Sequence, residues 1–121
     1  MSKTKCIGVL ALQGAFIEHV RHFQRCVDKF SDYDTAIRVI TVRTTQELWR
    51  CDGLVIPGGE STAMSLIAER TKLYDDLYRF VHDPSKCIWG TCAGLIFISD
   101  NLVTQGNLIN TLKLLHVTVK R

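Results

Sequence analysis

Four short apolar runs, each followed by a segment of helical periodicity, constrain this chain more than any other feature of its sequence. The first is "CIGVLAL" over residues 6–12, rich in Val, Ile and Leu and stopped by Gln13-Gly14. Two more lie at 36–42 and 53–56, the latter ended by Pro57, and the fourth is Cys87-Ile88-Trp89. Runs this short with little polar alternation are what strands buried on both faces require. After the first run, Phe16, Val20, Phe23 and Val27 recur at i, i+4, i+7 and i+11, one face of a 3.6-residue period, which predicts a helix. Thr44-Thr45-Gln46-Glu47 has the form of a capping box, so a short helix is predicted to carry Leu48 and Trp49 toward the sheet. "GGEST" turns the chain into another helix with Met64 and Ile67 three apart. After a break near Arg70-Thr71, helical spacing resumes through Leu73, Leu77, Phe80 and Val81. Asp83-Pro84-Ser85 reads as a turn, and an apolar helix from Leu95 to Ser99 follows the fourth run.

The resulting order, β-α-β-α-β-α-β-α, predicts an α/β fold with a mostly parallel sheet, helices on both faces and right-handed crossovers. Residues 101–111 carry little signal, and 114–119 form a candidate further strand. The 121 residues fit one domain, and a hydrophobic content of 46% sets disorder aside. The net charge of +3 is spread without a basic stripe interleaved with aromatics, which weighs against nucleic acid as a partner. No apolar stretch reaches the roughly 18 residues of a membrane span and the N-terminus does not read as a signal peptide, so a soluble cytoplasmic protein is expected. The cysteines, Cys6, Cys26, Cys51, Cys87 and Cys92, are odd in number and form no C-x-x-C pair. Neither a disulfide framework nor a zinc site follows, and most are expected to be buried reduced thiols.

Ligands of a parallel sheet collect at the carboxyl ends of its strands, where two glycine-rich turns lie. "GTCAG" at 90–94 has the G-x-nucleophile-x-G form of a strand-to-helix elbow, in which the central residue is strained and its side chain exposed. A thiol there feels the free amides of the following helix, and the amide of Ala93 points at an oxyanion. The bland reading is that Cys92 packs in a tight turn; its place between an apolar strand and an apolar helix favours the nucleophile. "PGGEST" at 57–62 is open to three readings. It precedes a helix N-terminus that suits anions but lacks the Lys of a Walker motif. Ser61 can serve as a simple N-cap. The amides of Gly58 and Gly59 can form an oxyanion hole facing Cys92.

Taken together, "GVLALQGAFIEH" (8–19), "PGGEST" (57–62) and "WGTCAGL" (89–95) resemble the glutaminase subunits of pyridoxal 5′-phosphate synthases, a branch of the class I glutamine amidotransferases with a flavodoxin-like fold. The resemblance runs from about Cys6 to Arg121, and "SLIAERTKLY" (65–74) brings it nearest the fungal members. It implies that Cys92 attacks the side-chain amide of L-glutamine, releases ammonia and forms a glutamyl thioester that water hydrolyses. It also implies that Gly58, Gly59, Glu60 and Ser61 hold glutamine and the oxyanion, that Arg121 contacts the substrate, and that Gln13 lies near the oxyanion at the docking face. The implied partner is a synthase subunit in a hetero-oligomer, reached by ammonia through a tunnel. No cofactor and no metal is implied.

The family's triad is completed by a His-x-Glu pair, and no H-x-E occurs here. The four histidines have duller readings: His19 and His22 on a solvated helix face, His82 before a turn, His116 on the candidate strand. Residues 1–121 are therefore read as one partial amidotransferase domain, truncated on the C-terminal side, with an unpaired edge and exposed apolar surface near "HVTVKR", and inactive or weakly active alone. A catalytically inactive synthase-binding module is the second reading, and a thiol enzyme of another class the third.

Overall fold

The computed structural model describes residues 3–12, 16–29, 35–58, 61–104 and 107–120. The expected alternation is present as β1 (Lys3–Leu10), α1 (Phe16–Lys29), β2 (Thr35–Val42), α2 (Thr45–Trp49), β3 (Gly53–Ile56), α3 (Ser61–Arg70), α4 (Tyr74–Val81), β4 (Cys87–Gly90) and α5 (Ala93–Phe97). The four strands form one parallel sheet in the order β2-β1-β3-β4. Two of its pairings set the site: Ile7 to Val9 lie opposite Gly53 to Val55, and Gly53 to Ile56 lie opposite Cys87 to Gly90. The carboxyl ends of β3 and β4 are thereby brought level, so the turns after them are neighbours.

Alternate residues of a strand face opposite sides of a sheet, and here each side is covered. Leu10, Val42, Leu54 and Ile56 face the main core, where they meet Leu48 of α2, Met64 and Ala68 of α3, Leu77 and Phe80 of α4, and Ala93 and Phe97 of α5. Val9 and Val55 are buried on the other side, where α1 lies. That side is thinly covered: α1 has no fully buried residue, and Trp89 of β4 remains 54% exposed while its ring meets Phe23 edge-on at 5.6 Å. The predicted stripe of Phe16, Val20, Phe23 and Val27 is the half-buried face of α1.

Local signals explain the helix boundaries. The capping box of α2 is complete, with Thr44 Oγ1 accepting from the Glu47 amide at 3.2 Å and Glu47 Oε1 accepting from the Thr44 amide at 3.1 Å. The break between α3 and α4 falls at Lys72, whose φ of 60° ends the first helix in the left-handed region. For the fold, five readings of the sequence need correction. Trp49 does not go inward with Leu48; it lies half out, its ring against Phe80 and its Nε1 donating to Asp76, because successive helix positions point about 100° apart. Ser61 is the first helical residue of α3 rather than its N-cap. The helix after the elbow spans Ala93–Phe97, and Ser99 already belongs to the next strand. Of the five free cysteines only Cys51 is buried; Cys6 is half-buried and Cys26, Cys87 and Cys92 are exposed.

The fifth correction concerns 101–111, which looked featureless. Here β5 (Ser99–Thr104), β6 (Asn107–Ile109) and β7 (Leu115–Lys120) form a second, mixed sheet in the order β6-β5-β7. β7 is the strand expected at 114–119, and it leaves Leu115 and Val117 exposed. This small sheet is tied to the main core through Leu112 of the β6–β7 connection, which packs in that core, and through the Tyr74 hydroxyl, which donates to the Thr111 carbonyl. Among the described residues, no helix is long and apolar enough to cross a membrane.

Candidate active site

The approach of two backbones fixes the geometry around Cys92. The elbow runs from β4 into α5, and the Thr91 amide donates to the Ile56 carbonyl of β3 at 3.0 Å while the Thr91 carbonyl accepts from the Gly94 amide at 2.8 Å. A Cβ at Gly94 would lie 1.9 Å from the Ile56 carbonyl oxygen, and one at Gly90 would lie 2.8 Å from the Gly94 oxygen. Both positions therefore exclude any side chain. With β4, β3 and α5 this close, the connecting residue must turn sharply, and Cys92 does so at φ 50°, ψ −115°. That conformation is uncommon for a non-glycine residue and costs of order 1–3 kcal/mol, persisting because its surroundings over-determine it. The side chain is consequently exposed at the carboxyl end of the sheet, ahead of the first turn of α5.

The β3–α3 turn lies against this elbow. A Cβ built on Gly58 would lie 3.5 Å from Cys92 Cβ and 3.9 Å from the Thr91 carbonyl oxygen, ordinary contact distances. Gly58 and Cys92, far apart in sequence, are thus neighbours, and Ala93, next to Cys92, is buried as the first residue of α5. Gly59, Glu60, Gln13 and Arg121 lie outside the described residues, and for Ser61 only the backbone is described. Among the described residues, no group of three or more His, Cys, Asp or Glu side chains is arranged to hold a metal ion.

One neighbour went unread in the sequence. His19, assigned to a solvated helix face, is half-buried, and its Nε2 lies 3.3 Å from Thr91 Oγ1. The signal was available: His19 falls three residues after Phe16 and four before Phe23, inside the apolar stripe of α1, whereas His22 falls outside it and is exposed. His82 and His116 are remote from the elbow in their bonding, His82 bridging the Tyr78 and Lys113 carbonyls and His116 meeting Asp100.

Three comparisons bear on this arrangement. The model of the SNO glutamine amidotransferase family matches residues 9–121. A probable pyridoxal 5′-phosphate synthase subunit of Saccharomyces cerevisiae is 62% identical over 119 residues, covering 98% of this chain and 54% of that relative. A pyridoxal 5′-phosphate synthase subunit of Oceanobacillus iheyensis is 39% identical over 115 residues, covering 95% of this chain and 52% of its own length. A crystal structure of a glutamine amidotransferase superposes with a TM-score of 0.77 at 32% identity, over 95% of this chain and 56% of that one. The chain spans about half the length of the curated relatives it matches. The glycine-locked elbow, the turn beside it and a family match over nearly the whole sequence lead to one assignment: this chain belongs to the SNO glutamine amidotransferase family.

Proposed function

We propose that the chain is a glutaminase subunit of the pyridoxal 5′-phosphate synthase type, in which Cys92 is the nucleophile toward L-glutamine. The observation that carries this reading is the forced backbone of Cys92, held at φ 50° between two glycine contacts and beside Gly58. Attack of the Cys92 sulfur on the side-chain amide carbon forms a C–S bond and a tetrahedral oxyanion. Amides of Gly58, Gly59 and Ala93 are the donors for that charge, the arrangement in which removing one donor typically costs about 10²–10³ in rate. Collapse breaks the C–N bond, the nitrogen takes a proton and leaves as ammonia, and water then hydrolyses the thioester to glutamate.

Glu60, Ser61 and Arg121 are assigned to the substrate and Gln13 to the face that meets a synthase subunit, which receives the ammonia in a hetero-oligomer. Residues 1–121 form a single partial amidotransferase domain in this reading, and a cytoplasmic setting is supported by five unpaired cysteines. The leaving nitrogen needs a general acid, a contribution of about 10²–10⁴-fold, and the sequence contains no His-x-Glu. Turnover by these residues alone is therefore expected to be slow. The second reading is a module that binds the synthase without chemistry.

Glutamate release from L-glutamine, measured with and without a pyridoxal 5′-phosphate synthase subunit, separates the two. Release that the synthase stimulates and Cys92→Ala abolishes supports the glutaminase. Equal release by parent and Cys92→Ala removes Cys92 from the mechanism, and synthase binding without release in either protein favours the module.

A further inference from the structure

The hydrogen bond between His19 and Thr91 joins α1 to the residue that precedes Cys92, and nothing in the proposed chemistry uses it. Both backbone groups of Thr91 are already committed, the amide to Ile56 and the carbonyl to Gly94. Its side chain is the remaining freedom of the elbow, and it ends on His19 Nε2 at 3.3 Å. A threonine hydroxyl donates to a bare ring nitrogen and accepts from a protonated one, so the contact persists in either state of the imidazole. The contact lies at the rim of a groove of about 440 Å3 that His19, Phe23, Cys26, Trp89 and Thr91 help to line. The Phe23–Trp89 edge contact in that groove fixes α1 against β4. His19 thus reaches the elbow from an anchored helix.

We propose that His19 is a positioning residue for Cys92: through Thr91 it holds the elbow in the strained conformation that presents the thiol. The physical basis is that a φ of 50° at Cys92 is maintained only by its surroundings, and Thr91 is the adjoining link. The role rests on the reading of Cys92 as a nucleophile. His19 itself takes no proton from substrate in this account.

The test is the rate of Cys92 alkylation by iodoacetamide in the folded chain, followed by peptide mass spectrometry, with the exposed Cys87 as internal standard. His19→Ala is expected to slow Cys92 about three- to tenfold, the span of one net hydrogen bond, with Cys87 unchanged. His19→Gln, which returns an amide near the position of Nε2, restores most of the rate. Thr91→Val slows Cys92 to the same degree, Thr91→Ser does not, and His19→Ala with Thr91→Val is no slower than either alone. A merely stabilising side chain would not give this rescue pattern at constant unfolding midpoint. Independent, multiplying effects of His19→Ala and Thr91→Val would overturn the link, as would a Cys92 that outpaces Cys87 yet ignores His19→Ala. A parent Cys92 no faster than Cys87 would remove the nucleophile reading and this role together.

Discussion

Replacing Gly94 by alanine tests the elbow at its tightest point. The added methyl would lie 1.9 Å from the Ile56 carbonyl oxygen, where ordinary contact begins at 3.4 Å, so α5 must retreat by about 1.5 Å or β3 must yield. β3 has little room to do so, because it is hydrogen-bonded to β1 on one side and β4 on the other. Retreat of α5 instead withdraws Phe97, which is completely buried, and Ala93 from the core. Overpacking typically costs about 1–3 kcal/mol and more where the obstacle is rigid, so a loss of about 3–5 kcal/mol is expected. For a domain of this size that lowers the thermal midpoint by roughly 10–20 °C, or the urea midpoint by about 1–2 M. Circular dichroism during heating and urea titration reads both. Gly53→Ala is the control, since its methyl meets the Cys87 carbonyl at 3.4 Å, and it should stay within about 0.5 kcal/mol of the parent. If Gly94→Ala unfolds alongside Gly53→Ala, backbone contact does not define the elbow.

The capping box predicts that Thr44→Ala costs about 1 kcal/mol in the same unfolding assays, since one orphan amide of α2 loses its acceptor. Glu47 is held below the usual carboxylate range, chiefly by the Arg43 amide and then by Thr44, so its contribution is present above the unfolded pKa and fades as pH falls through the lower folded value. Glu47→Gln should flatten that part of an acid titration of stability, and an unchanged profile would contradict the assignment. Burial pushes the Cys51 thiol up to about 12, with the neighbouring Cys6 adding to the shift. Native iodoacetamide labelling at neutral pH should therefore modify Cys26, Cys87 and Cys92 while sparing Cys51, which reacts only after denaturation. The folded pKa of Cys51 being the higher one, its contribution to stability is complete below the unfolded value and is lost as pH rises toward 12, which alkaline unfolding of the parent against Cys51→Ala measures. Phe80→Ala, at a fully buried position in the main core, should cost about 3–5 kcal/mol by the same measure.

The main sheet was legible because each of its β-strands announced itself by an apolar run and its crossovers by a 3.6-residue stripe or, at α2, by a capping box; β1, β3 and β4 begin or end within a few residues of where those runs do. The three-motif resemblance was legible for a related reason: turns that need glycine at a fixed place leave fixed letters, and "GTCAG" is spaced as the contacts of Gly90 and Gly94 demand. The second sheet was not legible, since β5 and β6 draw their order from pairing with each other and with β7 rather than from an apolar pattern of their own. Cysteine burial misled for a physical reason as well. Cys87 belongs to an edge strand of its sheet, as described, and Cys26 lines the open groove beside Trp89 on the thinly covered side, so both thiols stay exposed, which neither residue's chemistry announces. The residue type of His19 suits a solvated helix face, whereas its register within the α1 stripe turns it inward toward Thr91.

Affinity labelling of Cys92 with diazo-oxo-norleucine, located by mass spectrometry and challenged with L-glutamine, goes most directly to the claim that this elbow carries a glutamine-directed nucleophile. The account predicts one modified peptide, the one containing "GTCAG", with modification suppressed by glutamine and unaffected by glutamate at the same concentration. A folded chain whose Cys92 is left unmodified, or is modified no more than Cys26 and Cys87 and without protection by glutamine, would contradict it.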